Sequence, residues 1–253
     1  GGSFTNFGGV TRLRFAGFNL NTLTVDDLEL NASSTVEALH IDGSKLFIGG
    51  FFTSINDVPR GYAAQYNFDT DELDPWNPGF EANVLDIESD ADNTIFAGSF
   101  VNSGDFQPGR VARFDPGMGS FDNDFVPEFN STVTSLVVGG DLLYAGGFFS
   151  AAEGESRSRL AAVNKENGQL DVFDQMIQGS RIEALYINAD TLYAGGLFQS
   201  AAGEDRSNAA AFDLTSGTLI SWNPKFDNNV LSISGDANHL IAGGSFSLSK
   251  FEE

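Results

Sequence analysis

Acidic side chains are the most numerous residues in this sequence that could do chemistry. The 253 residues include 35 Asp and Glu against 13 Lys and Arg, which gives a net charge of −22. Glu37 and Glu183 stand at one equivalent position of a repeated segment, where the other copies place Leu85, Thr134 and Leu231. A pair of carboxylates is what glycoside hydrolysis requires. These two glutamates are therefore the candidates for a ligand-binding or catalytic pair.

The charge and the composition exclude several kinds of function. A strongly negative surface repels phosphate backbones and anionic lipid headgroups. Cysteine is absent, and His40 and His239 are the only imidazoles, so a Cys- or His-based metal site or a catalytic triad is hard to build. No apolar run reaches the ~18 residues of a membrane span. We expect neither a nucleic-acid partner nor membrane insertion.

Two acidic turns could bind Ca²⁺, which is the one cofactor that the sequence suggests. Asp69 and Asp71 lie in one turn, and Asp90 and Asp92 lie in another. Carboxylate oxygens are the ligands that Ca²⁺ prefers, but neither turn follows the twelve-residue helix–loop–helix calcium pattern. Solvated turns without a metal are the favoured interpretation.

Arginine recurs at one position of the repeat in a chain that has few cations. The residues are Arg12, Arg60, Arg157 and Arg206, and the third repeat has Arg110 displaced by two positions. A residue that recurs with the fold usually serves the fold, so a clamp on carbonyl groups between adjacent repeats is the favoured role. The alternative is an arginine set that binds an anionic ligand, for which Arg60 and Arg206 are the candidates.

Two tryptophans, Trp76 and Trp222, offer flat apolar surfaces. Both begin a Trp-Asn-Pro segment. They are candidates for stacking on sugar rings, but packing at the edge of a blade is the favoured role.

A segment of about 48 residues must position all of these side chains, because it repeats along the whole chain. Its mark is a Gly-Gly-x-Phe signature, in which the final phenylalanines are residues 4, 52, 100, 149, 198 and 246. Their separations are 48, 48, 49, 49 and 48 residues. A fixed period of this length indicates a stack or ring of one supersecondary unit.

Each repeat contains four short predicted strands. The first holds a β-branched residue and a Leu or Ile three positions later, such as Val36 and Leu39, and is predicted to be buried. A Gly-, Asn- or Asp-rich turn leads to a second strand that ends on the glycine pair. The third is typified by Ala63–Asn67, and the fourth contains residues such as Leu73. Four strands per repeat predict an all-β fold, a five-bladed β-propeller of four-stranded antiparallel blades.

The chain is predicted to be a single domain over residues 1–253. The repeats span approximately 1–48, 49–96, 97–145, 146–194 and 195–242, and residues 243–253 complete the closing blade. Residues 12–31 would supply the outer half of that blade and Val230–Phe246 the inner half. This pairing of the N- and C-terminal segments would close the ring without free edges. A piece of a longer array is the alternative.

The repeats resemble the bacterial delta-60 repeat family. Residues 49–97 carry the likeness best, with Gly49-Gly50-Phe51-Phe52-Thr53-Ser54, Arg60, Ala64, Asn67, Leu73-Asp74, Trp76-Asn77-Pro78 and Val84. The segments Leu28-Glu29-Leu30 and Asp174-Gln175-Met176 depart from its aromatic-Asn-Pro ending. The resemblance implies propeller-type repeats in exported or surface proteins, often within large multidomain chains, and implies no shared chemistry.

Two functions follow from these observations. The favoured one is a non-catalytic propeller module of an exported or cell-surface protein, which binds a protein or glycan ligand through loops on its rims. The candidate ligand-binding residues are Glu37, Arg60, Trp76, Glu183, Arg206 and Trp222. The alternative is a carbohydrate-active enzyme that uses carboxylates at the mouth of the channel.

Overall fold

The computed structural model describes residues 1–90, 92–116 and 118–249, and these residues form an all-β structure without a helix. The prediction of an all-β fold is confirmed. The first fourteen strands are β1 (Asn6–Phe7), β2 (Val10–Thr11), β3 (Phe18–Asn19), β4 (Thr24–Val25), β5 (Val36–Asp42), β6 (Lys45–Gly50), β7 (Ser54–Ile55), β8 (Val58–Pro59), β9 (Ala63–Asn67), β10 (Glu72–Leu73), β11 (Val84–Ser89), β12 (Thr94–Gly98), β13 (Val111–Asp115) and β14 (Ser120–Phe121). The remaining strands are β15 (Val133–Gly139), β16 (Leu142–Gly147), β17 (Ala151–Ala152), β18 (Glu155–Ser156), β19 (Leu160–Asn164), β20 (Gln178–Asn188), β21 (Thr191–Ala201), β22 (Glu204–Asp205), β23 (Ala209–Asp213), β24 (Thr218–Leu219), β25 (Val230–Gly235) and β26 (Leu240–Gly244). No described helix is long and apolar enough to span a membrane.

The larger sheets are antiparallel meanders in which strands that follow one another in the repeat lie side by side. Their orders are β10-β9-β6-β5, β11-β12-β13-β14, β15-β16-β19 and β20-β21-β23-β24. The first two strands of each repeat meet at a tight turn. Gly43 and Gly140 occupy such turns with positive φ, a conformation that glycine adopts without a steric penalty. Each larger sheet thus combines the last strands of one repeat as bounded above with the first strands of the next, and from here on a repeat means the strands of one sheet.

The chain divides into two compact units. The first contains Gly1–Pro108 with Arg113–Phe121, and the second contains Gly109–Ala112 with Asp122–Glu253. The core of the first unit is built around Phe15, Leu46, Ile48, Phe52 and Tyr66. That of the second includes Leu160, Phe173, Ile182, Phe198 and Phe212. The single-domain boundary stays a prediction.

A β-bulge explains the glycine pair of the signature. In the second unit, Val133 faces Gly147 and Ser135 faces Gly146, so Thr134 is an extra residue on the first strand. A side chain at Gly147 would overlap the carbonyl oxygen of Thr132. A Cβ at Gly146 would lie 2.5 Å from Cγ2 of Ile182 in the next repeat. Gly147 therefore leaves room for the bulged backbone, and Gly146 leaves room for a side chain of the neighbouring repeat.

The same bulge occurs in the other repeats with a described first hairpin. The extra residues are Glu37, Leu85, Glu183 and Leu231. These are the positions that the sequence singled out because the repeats differ there. The bulge is thus the element that places Glu37 and Glu183.

The first strand is not buried equally in every repeat. Ile87, Leu136 and Leu185 are buried, as predicted, whereas Leu39 is 39% exposed. Ile87 lies against Gly49, at the end of the preceding repeat's second strand. Leu39 instead lines a groove of the first unit.

The terminal sheets are incomplete. β3 and β4 form one two-stranded sheet, and β25 and β26 form another. The predicted pairing of residues 12–31 with Val230–Phe246 is not among the hydrogen-bonded sheets of the described chain. The five-bladed ring therefore stays a prediction.

Candidate functional site

The recurring arginines act as internal clamps on the backbone. Arg60 donates from one guanidinium nitrogen to the Pro59 carbonyl oxygen at 2.8 Å and from the other to that of Asp74 at 2.7 Å. Arg206 makes the same fork to Asp205 and Ile220, at 2.9 and 3.1 Å. Both arginines are buried. A carbonyl clamp was expected between adjacent repeats, but this one joins two parts of the same repeat.

Arg12 and Arg157 repeat the same geometry. Their guanidinium groups donate to the carbonyl of the preceding residue and to the carbonyl fourteen residues ahead, which are Asp26 and Asp171. In all four arginines the Nε atom is buried without a partner. The anionic-ligand role of Arg60 and Arg206 stays a prediction, and their donors are aimed at protein carbonyl groups.

The two tryptophans pack against aromatic residues of neighbouring strands. The Trp76 ring lies 5.9 Å from Phe47 and 4.8 Å from Phe114, and the Trp222 ring lies 5.3 Å from Tyr193. Phe173 makes the equivalent contact with Tyr144 at 5.3 Å. Each tryptophan keeps part of its surface accessible. Their position in the fold serves edge packing, and sugar stacking stays a prediction.

The acidic turns hold their carboxylates through local hydrogen bonds. Asp71 accepts a hydrogen bond from the Tyr66 hydroxyl, and Asp90 accepts from the amide and side chain of Asn93. Asp69 and Asp92 are exposed. Across the residues that the structure describes, no three His, Asp or Glu side chains gather in a way that could hold a metal ion. Ca²⁺ binding stays a prediction.

Burial raises the pKa of Tyr66 to about 12, and the hydrogen bond to Asp71 adds to the effect. The Tyr66 hydroxyl therefore remains protonated at neutral pH and keeps donating to Asp71. In another turn of the same kind, a hydrogen bond from the Ser216 hydroxyl lowers the pKa of Asp213. The carboxylates of Asp71 and Asp213 therefore stabilise the turns in which they lie.

The two candidate glutamates have different surroundings. Glu37 is exposed and belongs to the first unit. Glu183, in the second unit, is mostly buried and forms an ion pair with Arg181. The structure therefore gives Glu183 a set of polar side-chain partners.

A cluster around Glu183 is the strongest candidate site. We call Phe148, Arg181, Glu183 and Asn229 the Arg181 cluster. The Arg181 guanidinium carbon lies 5.4 Å from the centre of the Phe148 ring, a cation–π distance. The Asn229 side-chain amide lies 3.4 Å from the Glu183 carboxylate. The cluster brings an aromatic face, a cation and an acid together on one bulged strand and its neighbours.

Two properties of the Arg181 cluster suit it to contact with a ligand. Phe148 is 39% exposed, whereas the phenylalanine that follows it in the signature is fully buried. The side-chain oxygen of Asn229 is buried without a hydrogen-bond partner. An unsatisfied buried acceptor calls for an explanation, and a donor from a ligand would provide one.

Sequence reasoning found Glu183 and missed the other three residues of the cluster. The signal was present, because each of the three occupies a position where the repeats differ. Phe148 is the variable residue of the signature, and Arg181 corresponds to Thr132 in the preceding repeat. The arginines of the scaffold became candidates for ligand binding instead, because they recur.

The first unit contains an apolar groove of about 840 Å³. Its walls include Phe15, Phe18, Leu39 and Ile41, and acidic residues such as Asp26 line it as well. The groove lies beside the two-stranded sheet of β3 and β4.

Comparisons with known proteins bear on the fold alone. No protein-family model and no curated protein sequence matches the chain. Solved structures that are similar include the crystal structures of the computationally designed Ika4 and Ika8 proteins. Ika4 is 14% identical with a TM-score of 0.51, over 72% of this chain and 92% of Ika4. Ika8 is 13% identical with a TM-score of 0.52, over 87% of this chain and 71% of Ika8.

Proposed function

We propose that the chain is a non-catalytic binding module that recognises a protein or glycan ligand through the Arg181 cluster. The observation that carries the proposal is a difference between two groups of residues. The recurring arginines and tryptophans contact the protein itself, whereas Phe148, Arg181 and Glu183 lie where the repeats differ. Function should reside where a repeated scaffold departs from its own pattern.

The chemistry of the cluster fits recognition better than turnover. An exposed aromatic ring beside an arginine is the kind of surface that anchors protein and carbohydrate ligands. Glu183 is already paired with Arg181, so its carboxylate has a partner within the protein.

The scaffold that we propose for this site is the five-bladed propeller. The 48-residue period and the four-stranded meanders support it. The ring would close by pairing of the terminal segments. The likeness to delta-60 repeats supports an extracellular or cell-surface location within a larger multidomain protein, and this location is part of the proposal.

A panel of immobilised neutral and acidic oligosaccharides, with detection of released sugar, tests the function. We expect binding without turnover, and Phe148→Ala should weaken binding about tenfold, which is ~1.4 kcal/mol. The matched control is Phe51→Ala, since Phe51 is the equivalent exposed residue of another repeat. Sugar release that Glu183→Gln abolishes would establish the enzyme instead. An equal loss of binding in both phenylalanine variants would remove the Arg181 cluster as the site.

A further inference from the structure

The polar atoms of the Arg181 cluster are only partly used within the protein. The Nε atom of Arg181 donates to Oε1 of Glu183, and the Asn229 amide nitrogen lies 3.4 Å from the same oxygen. Among the hydrogen bonds that the described residues make, none involves Oε2 of Glu183 or the two terminal nitrogens of Arg181. The cluster therefore presents a free acceptor beside free donors.

The Asn229 side chain adds a second acceptor. Asn229 is 6% exposed, and its side-chain oxygen has no hydrogen-bond partner. Thr35 and Thr132 occupy the corresponding position in other repeats, so the fold does not require an amide there. Because 3.4 Å is long for a hydrogen bond, a small rotation of the Asn229 side chain would turn its oxygen toward an incoming O–H group.

A further arginine fixes the aromatic face of the site. Arg159 donates to the carbonyl oxygens of Phe148 and Phe149 at 2.5 and 2.8 Å. Its Nε atom donates to the carbonyl oxygen of Gly179 at 3.0 Å. Gly179 lies on β20, two residues before Arg181, so one guanidinium group joins the Phe148 backbone to the strand that carries the ion pair. A site that is fixed before binding loses little conformational entropy when a ligand binds.

The preceding repeat also holds the backbone between the two charged side chains. The Thr134 hydroxyl donates to the carbonyl oxygen of Ile182 at 2.6 Å. Ile182 separates Arg181 from Glu183, and Thr134 is itself the extra residue of the bulge in its repeat. The aromatic ring, the cation and the acid therefore keep their relative positions.

The charges of the site favour a neutral ligand. Arg181 and Glu183 are partly buried side chains of opposite charge. An anionic group would meet Glu183 beside Arg181, and the protein has a net charge of −22. A cationic group would meet the positive charge of Arg181 in the same place. A hydroxyl group both donates and accepts, so adjacent hydroxyl groups can accept from Arg181 and donate to Glu183 without either repulsion.

We infer that the ligand of the Arg181 cluster is a neutral sugar residue with adjacent hydroxyl groups. The inference rests on the proposed binding function and narrows its ligand. The apolar face of the sugar ring packs on Phe148, and hydroxyl groups bind Arg181, Glu183 and Asn229. A protein ligand is less suited to the site, because protein hot spots are surrounded by contacts that exclude water, whereas three of the four cluster residues are polar.

Titration with methyl glycosides, followed by saturation-transfer NMR, tests the inference. The neutral probes are the methyl glycosides of glucose, galactose and mannose, and the acidic probes are those of glucuronic and galacturonic acid. We expect a neutral glycoside to bind and Glu183→Gln to weaken it about tenfold, because a carboxylate accepts a stronger hydrogen bond than an amide. For an acidic glycoside the same substitution should strengthen binding, because it removes a negative charge beside Arg181.

Asn229→Thr tests the buried oxygen with a residue that the same position accepts in other repeats. We expect about fivefold weaker binding of the neutral glycoside, because one hydrogen bond is lost. The unfolding temperature should not fall, since the substitution removes an unsatisfied buried acceptor. Asn83→Thr, at the corresponding position of another repeat, is the matched control and should leave binding unchanged. Equal binding by Asn229→Thr and the unmodified protein would contradict the assigned contact.

The results distinguish the sugar inference from the proposed function. Binding of acidic glycosides alone, strengthened by Glu183→Gln, would overturn the neutral sugar and keep the Arg181 cluster as the binding site. If no glycoside binds at millimolar concentrations, the sugar inference is wrong and the proposed function keeps only a protein ligand. Neutral glycosides that bind the unmodified protein, Phe148→Ala and Glu183→Gln equally would remove the cluster as the site, and both proposals would fail.

Discussion

At the scale of single residues, the recurring arginine has the clearest structural role. Arg60 satisfies two carbonyl groups with one buried guanidinium group. Planarity makes this possible, because the two terminal nitrogens point at different acceptors at once. The arginine thus recurs in this acidic protein because it hydrogen-bonds backbone carbonyl groups at the same position of several repeats.

Replacing Arg60 should therefore destabilise the protein. We expect Arg60→Ala to lower the free energy of unfolding by about 2–3 kcal/mol, since it leaves two carbonyl groups without their charged donor. Arg60→Lys should recover part of the loss through a single hydrogen bond. Urea unfolding measures both variants. A cost for Arg60→Ala below ~0.5 kcal/mol would show that the fork is not structural and would revive the ligand-binding role.

Tyr66 gives a prediction at alkaline pH. Its pKa is raised from 10.0 to about 12 in the folded protein, so between these values the unfolded chain has lost the proton that the folded chain keeps. The stability that Tyr66 contributes is fully present below pH 10 and is lost as pH rises toward 12. Unfolding measured across this interval should show a flatter decline for Tyr66→Phe. An identical decline would mean that Tyr66 titrates normally.

At the scale of elements, the bulged hairpin is the unit that the signature encodes. The sequence predicted the strands, their order and the glycine pair, because apolar spacing and turn residues determine those locally. The bulge was also visible, since Val36 and Leu39 are three apart where a regular strand would give two or four. The prediction treated that spacing as an ordinary strand.

Other features could not be predicted, because they depend on the packed structure. Arg14, Tyr62, Arg159 and Asn208 share a positive φ at one repeat position although three different residue types occur there. The conformation is imposed by the backbone on either side. The contact of Arg181 with Phe148 likewise joins residues on different repeats and leaves no local pattern.

Glycine substitutions separate the role of the bulge from that of turns. Gly147→Ala should lower the free energy of unfolding by about 2–3 kcal/mol, because a Cβ there meets the Thr132 carbonyl oxygen. Gly154 has a φ of +74° with open space around it, so Gly154→Ala should cost only about 1–2 kcal/mol. Thermal unfolding of both variants shows which substitution costs more stability. The reverse order would contradict the account of the signature.

At the scale of the whole molecule, the 48-residue period and the four-stranded sheets support the five-bladed propeller that we propose. Phe52, Phe100, Phe149 and Phe198 of the signature are buried. The proposed ring would give β26 a third-strand partner, as β6, β12, β16 and β21 have. Loops on a closed ring would also hold the Arg181 cluster in a fixed geometry.

Amide hydrogen exchange of the unmodified chain tests the ring most directly. In a closed ring, the amides of Phe15–Asn19 and Leu240–Gly244 pair with each other, and we predict protection close to that of the central strand Leu160–Asn164. Exchange at both terminal strands as fast as in the exposed turn at Glu153 and Gly154, with Leu160–Asn164 still protected, would contradict the five-bladed ring.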